Sequence, residues 1–316
     1  MEEEAGIYIK NLKKFYPGVR ALNEISFKIS KGSIHGLLGP NGAGKSTTMR
    51  ILAGLIRSNL GTITFENGSE SRSLEKSEIG ILPESPPLYR DMVVCDYLKF
   101  VGRINGVMKR DIQSSIDWVV DKVGIGEVSN RIIGNLSKGM RQRVGIAGAI
   151  IHKPALIILD EPTSGLDPES IAKIRDLIKS LKGEHTIILS THLLNEVKIL
   201  CEEMTILHEG NVLFSGHMSD LEDRFYRNRK IQAVVSKWNE SDRAYFSALV
   251  GILEIQHTNR DDQTDEVIFV LSDNGYTSNE LLEELGVRRC FPTNFNEVHA
   301  DVEEIYLELM KERRES

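Results

Sequence analysis

The sequence predicts an α/β protein in two parts, a largely parallel sheet flanked by helices over residues 1–219 and a smaller α+β domain over 220–316. Three observations carry this. IHGLLG at 34–39 ends on glycines and runs into STTMRILAGLI, so a buried strand passes through a loop into a helix. ALIILD (155–160) and TIILSTH (186–192) are short apolar runs bounded by polar residues, as central strands covered on both faces should be. Residues 1–219 carry 27 Lys and Arg against 25 Asp and Glu, whereas 220–316 carry 12 against 21, a break in composition that marks a domain boundary.

Between Pro83 and Leu136 the apolar spacing changes to three and four, in DYLKFVGRI and SSIDWVVDKVGI, which predicts a helical subdomain inserted into the sheet domain over about 84–136. TILHEGNVLFSG (205–216) reads as a hairpin with Gly210 and Asn211 at its turn. After Asp220 the order is strand (IQAVV), helix (DRAYFSALV), strand (ILEIQ), strand (EVIFVL), helix (SNELLEEL) and a last short strand, which fits a ferredoxin-like βαββαβ unit. The final stretch, DVEEIYLELMKERR, has helical apolar spacing and reads as a domain-packing helix. His257 and His299 stand isolated and read as surface residues.

Bulk properties narrow the function classes. Cys95, Cys201 and Cys290 lie far apart without CxxC spacing, which argues against a disulfide framework or a zinc site and for reduced thiols in the cytoplasm. The start, MEEEAGIYIKNLKKF, is acidic where a secretion signal is basic, and no apolar segment follows it. No run approaches the ~20 apolar residues that cross a bilayer, so a membrane role is expected to come through a partner. The acidic second part argues against nucleic-acid binding, which draws on Lys and Arg.

The strongest local signal is Gly39-Pro40-Asn41-Gly42-Ala43-Gly44-Lys45-Ser46, a GxxxxGK[ST] loop between an expected strand and an expected helix. Its glycines let successive N–H groups point at phosphate oxygens, and the helix N-terminus adds partial positive charge. Lys45 is expected to neutralise the β and γ phosphates of ATP, Ser46 to ligate Mg2+, and Asn41 to Thr47 to line the nucleotide. Downstream, ALIILDEP sets Asp160 and Glu161 directly after a buried strand. Asp160 is expected to reach Mg2+ through water; Glu161, pointing the other way, is placed to polarise the water that attacks the γ phosphate. Alone, a strand ending in Asp-Glu is weak evidence; paired with the phosphate loop it is strong. In Leu136-Ser137-Lys138-Gly139-Met140, Ser137 reads first as an N-cap, and a helix N-terminus bearing a hydroxyl and a glycine can also receive an anion.

With DEPTSGLDP (160–168) following and His192 after the next strand, the set resembles the ATP-binding-cassette ATPase family over residues 7–219. The resemblance implies a P-loop NTPase fold of the ABC type, an ATP-hydrolysing subunit, a head-to-tail homodimer, and a separate integral membrane permease with this chain on the cytoplasmic face of the membrane. It further implies that Tyr16 stacks on adenine, that Ser137 and Gly139 contact the γ phosphate held by the other copy, that Asp167 is the D-loop aspartate and that His192 is the switch histidine. Two positions depart from the common pattern. LSKGM replaces LSGGQ, so Lys138 and Met140 stand for a glycine and a glutamine, and Glu84 in ILPESPPLY stands where the family has the glutamine that touches Mg2+. Glu84 is expected to bind the metal and to tie nucleotide state to the helical subdomain. A glutamate there, with the continuation LYRDMVVCDYL and an appended second domain, resembles the export-type branch that contains drug-resistance and sodium-extrusion ATPases. A soluble ribosome factor of the superfamily would need two cassettes. A DNA-repair or chromosome ATPase would need a long coiled coil between phosphate loop and signature, where fewer than a hundred residues lie.

Overall fold

The computed structural model describes residues 5–67, 70–225, 229–236, 238–260, 264–272 and 275–298, and the chain divides into two compact units, Met1–Met218 and Ser219–Ser316. The helix expected at 301–314 and His299 lie outside the described residues.

The first unit begins with β1 (Gly6–Tyr16), β2 (Val19–Ser30), β3 (Ile34–Leu38) and helix α1 (Lys45–Leu52). Then come β4 (Leu60–Asn67), β5 (Glu70–Arg72), β6 (Ile79–Leu82), α2 (Val94–Ile104) and α3 (Ile112–Lys122). Its later elements are α4 (Lys138–Ile150), β7 (Leu156–Asp160), α5 (Pro168–Leu181), β8 (Thr186–Thr191), α6 (Leu194–Leu200), β9 (Glu203–His208) and β10 (Asn211–His217). A six-stranded sheet has the order β10-β9-β3-β8-β7-β6, in which all neighbours are parallel except β10 against β9. Strands β3 and β8 are buried along their whole length, which is why they read as continuous apolar runs. A second, antiparallel sheet, β2-β1-β4-β5, packs its inward residues Ile7, Ile9, Leu22 and Ile29 into the same core as Leu37, Ile158 and Ile188. Between β6 and α4 the chain is helical, α2 and α3 being followed by two short 3-10 turns at Gly126–Val128 and Ile133–Asn135.

The hairpin falls one residue earlier than its sequence suggests. Asn211 is already paired with His208 in β10, and the turn is Glu209-Gly210, with φ of 45° and 74°. A two-residue I′ turn needs positive φ at both central positions, and here a glutamate accepts the first of them. The turn braces the phosphate loop, because the Gly210 amide donates to the Ala43 carbonyl at 3.0 Å.

After α7 (Met218–Phe225), the second unit consists of β11 (Arg229–Val235), α8 (Glu240–Ser247), β12 (Ile252–Asn259), β13 (Asp265–Leu271), α9 (Ser278–Val287) and β14 (Pro292–Val298). Its antiparallel sheet runs β12-β13-β11-β14. Trp238, Phe246 and Phe269 form its aromatic centre, with ring centroids 5.2–5.8 Å apart. His257 is exposed but not isolated, since its Nε2 lies 2.8 Å from Asp265 Oδ1.

Candidate active site

Parallel α/β sheets collect ligands beyond the carboxyl ends of their strands, and there four strands of the six-stranded sheet deliver polar residues. β3 leads into the glycine loop, β6 ends two residues before Glu84, β7 ends on Asp160 and β8 ends one residue before His192. The strand spacing of a sheet therefore brings together side chains separated by more than 140 positions in sequence.

The loop folds back on its own lysine. Gly42 and Gly44 take φ of 83° and 108°, the second as the left-handed N-cap of α1. Asn41, Gly42 and Ser46 are exposed and Thr47 half-buried, so the first turn of α1 faces outward, while Ala43 packs in the core. Lys45 is only 7 % exposed, and its ammonium donates to the carbonyls of Gly39 (2.6 Å) and Pro40 (3.2 Å). Burial lowers its pKa, and Glu161, Asp160 and Glu84 oppose that shift in this order, so three carboxylates act on one ammonium.

Asp160 and Glu161 are held by a residue that sequence reading missed. Ser190, opposite Asp160 in the β7–β8 register, donates its hydroxyl to Asp160 Oδ1 at 2.5 Å and accepts the Glu161 amide at 3.1 Å. Glu161 has φ of 47°, a left-handed conformation uncommon outside glycine and concentrated at functional positions. The half-exposed His192 ring places Nδ1 3.0 Å from both Glu161 oxygens.

Ser137, Gly139 and Asp167 form a separate cluster. Ser137 caps α4 by accepting the Met140 amide at 3.2 Å, and Asp167 caps α5 by accepting the amide (2.9 Å) and hydroxyl (2.7 Å) of Ser170. Those bonds from Ser170 hold the Asp167 carboxyl below its ordinary value. A Cβ on Gly139 would stand 2.4 Å from Ser170 Oγ, so the two helix starts abut. Their bonds run to Met140 and Ser170 and not to the phosphate loop. Tyr16, at the end of β1, is 40 % exposed with Lys14 Nζ 5.1 Å from its ring centre.

The donor set fits a magnesium nucleotide. Oxygen donors at Ser46 and Asp160 are of the hard kind that Mg2+ takes together with phosphate and water. Among the described residues no three His, Cys, Asp or Glu side chains form a cage that would hold a metal without a nucleotide.

A glycine loop at the end of a central parallel strand, backed by a strand ending in Asp-Glu, defines a P-loop nucleotide-hydrolysing domain. Residues 22–164 match the ABC transporter family. An uncharacterized ABC transporter ATP-binding protein of Bacillus subtilis, YxlF, is 32 % identical over 305 residues, covering 96 % of this chain and 98 % of the relative. The lantibiotic transport ATP-binding protein SrtF of Streptococcus pyogenes is 43 % identical, over 65 % of this chain and 88 % of the relative. Among solved structures, cbiO1 of Clostridium perfringens, part of the ABC transporter complex cbiONQ, superposes with a TM-score of 0.62 at 29 % identity, over 69 % of this chain and 91 % of that one. The chain belongs to the ATP-binding subunits of ABC transporters. It is an ATPase coupled to transport, and these relatives favour that reading over action on ribosomes or DNA.

Proposed function

We propose that two copies of this chain close on ATP at the cytoplasmic face of the membrane and drive a separate permease. In each site the glycine loop and Lys45 of one copy grip the phosphates, and Ser137 and Gly139 of the other cap them. The observation that carries this reading is the grouping at the strand ends of Lys45, buried in its glycine loop, with Asp160 and Glu161 fixed by Ser190 and His192 on both oxygens of Glu161.

The chemistry is positioning and charge neutralisation. Lys45, released from its own loop carbonyls, neutralises the β and γ phosphates, while amides from Gly42 to Thr47 orient them. Glu161 polarises the attacking water and receives its proton, and His192 donates from Nδ1 to hold the carboxylate in place and reaches toward the γ phosphate. Ser46, and Asp160 through water, would hold Mg2+, with Glu84 as a further oxygen donor; the ion would offset charge on the phosphate oxygens. Tyr16 supplies an exposed ring for adenine, and Asp167 sits where the two copies meet.

A groove of about 280 Å3 between β6, α2 and α4, lined in part by Pro83, Pro86, Tyr97 and Val101, lies beside the segment that carries Glu84. We read the helical stretch 84–136 as the permease seat and residues 220–316 as an accessory domain, whose strand order supports a ferredoxin-like unit. Glu161→Gln tests the reading. It should bind ATP with Mg2+, lose hydrolysis and accumulate as a particle of twice 35.5 kDa by light scattering. A monomer with normal turnover contradicts it.

A further inference from the structure

We propose that Lys138 is a positioning residue for ATP hydrolysis, which ties the segment between Glu161 and Asp167 to the first turn of α4. The Lys138 ammonium donates to the carbonyl of Ser164 at 2.8 Å and to that of Gly165 at 3.0 Å. Both acceptors lie in the short connection from the end of β7 to the start of α5, whose two ends carry the groups read as water activator and D-loop aspartate.

The receiving loop leaves room for that ammonium. Gly165 has φ of 63°, and a Cβ there would stand 2.4 Å from Lys138 Nζ, so any larger residue would take the space the ammonium fills. Two further contacts from α4 reach this connection and the first turn of α5 that follows it. Gln142, itself buried, donates to the Pro162 carbonyl at 2.9 Å, and Gly139 abuts Ser170, the residue that holds both oxygens of Asp167. The connection is thus held near its beginning and middle by residues 142 and 138, and the helix start that follows it is held by residue 139. Lys138 provides the middle grip, and it alone brings a charge to it. A glycine at 138, the common residue of the resembling family, has no donor that could make these bonds.

Two charge-assisted bonds from an exposed ammonium add little to folding stability, but they restrict where a loop can stand. A displacement of the order of 1 Å at a reacting group can slow a reaction by up to about a hundredfold. The inference rests on the reading of Glu161 as the group that activates water.

The test compares Lys138→Met and Lys138→Arg in the purified full chain with MgATP. Lys138→Met should lower kcat about tenfold, with KM for ATP and the unfolding midpoint unchanged. Lys138→Arg, which keeps N–H donors for two adjacent carbonyls, should retain a higher kcat than Lys138→Met. Wild-type kcat in Lys138→Met overturns the proposal. So does a joint loss of kcat and ATP affinity that arginine fails to rescue, because that pattern belongs to a residue serving the fold or the nucleotide pocket. In the Glu161→Gln background, Lys138→Met should still form the ATP-bound pair. Loss of pairing only in the double variant shows an effect on closure and also overturns it. If Glu161→Gln alone does not pair, the two-copy reading falls, and the kcat comparison still decides the role of Lys138.

Discussion

Ser190 shows how much of the site depends on residues that carry no chemistry of their own. Its hydroxyl fixes Asp160 while accepting the amide of Glu161, and so sets both carboxylates from a neighbouring strand. Removing a hydrogen bond to a charged group costs about 1.5–3 kcal/mol. Removing a partner that orients a metal-ligating carboxylate costs about 10- to 100-fold in metal affinity or activity, so Ser190→Ala should slow turnover by about tenfold or more and raise the Mg2+ concentration needed for half-maximal activity, as steady-state phosphate release would record. The candidate site residues were legible because each sits in a local run: Lys45 in the glycine loop, Asp160 and Glu161 after ALIIL, His192 after TIILST. Ser190 was not legible, because its role follows from the pairing of β7 with β8, which no linear spacing displays. The same holds for Lys138, whose acceptors lie 26 and 27 positions downstream.

Individual elements owe their positions to close backbone approach. On β6, a Cβ at Gly80 would stand 2.0 Å from the Ala149 carbonyl of α4, so only glycine lets that helix lie on the strand that leads to Glu84. Gly80→Ala should destabilise the chain by about 1–3 kcal/mol, the usual cost of overpacking, read as a lower denaturant midpoint at unchanged slope. The parallel strands were evident in the sequence because burial on both faces makes them uniformly apolar. The antiparallel sheet β2-β1-β4-β5 was not anticipated. Register shifts between Ile9 and Leu12, Leu12 and Lys14, and Lys14 and Phe15 break the two-residue alternation by which a half-buried strand is recognised. The hairpin turn was misplaced by one residue because Gly-Asn looks like the stronger turn pair, whereas Glu209 takes the positive φ.

At the scale of the whole molecule, a buried polar group joins the two sheets of the first unit and should make its stability depend on pH. His35, 1 % exposed, stacks on Phe27 of β2, bonds Thr205 of β9 through Nε2 at 2.9 Å and faces Glu203 at 3.5 Å. Burial holds His35 below its ordinary 6.5, against the pull of Glu203. Burial alone would raise the Glu203 carboxyl, but His35 together with the hydroxyl and amide of Ser30 brings it down to about 2. Both folded pKa values are thus below the unfolded ones. As pH falls through 6.5 the unfolded chain takes up the His35 proton first, and below 4.5 it takes up the Glu203 proton first, so stability present at neutral pH is lost on acidification. Denaturant titrations should show this decline, and His35→Gln should flatten it between pH 6.5 and 5. Much of the unit's function was readable from motif order alone, whereas the proposed sharing of a site between copies lies beyond any single chain.

That sharing is tested most directly by mixing two inactive variants, Lys45→Ala and Ser137→Arg. In a mixed pair, the loop of the Ser137→Arg copy meets the intact Ser137 of the Lys45→Ala copy, leaving one complete site. Phosphate release should therefore return on mixing, although neither variant hydrolyses ATP alone. A mixture as inactive as its parts, or a Ser137→Arg chain with full activity by itself, would contradict the account.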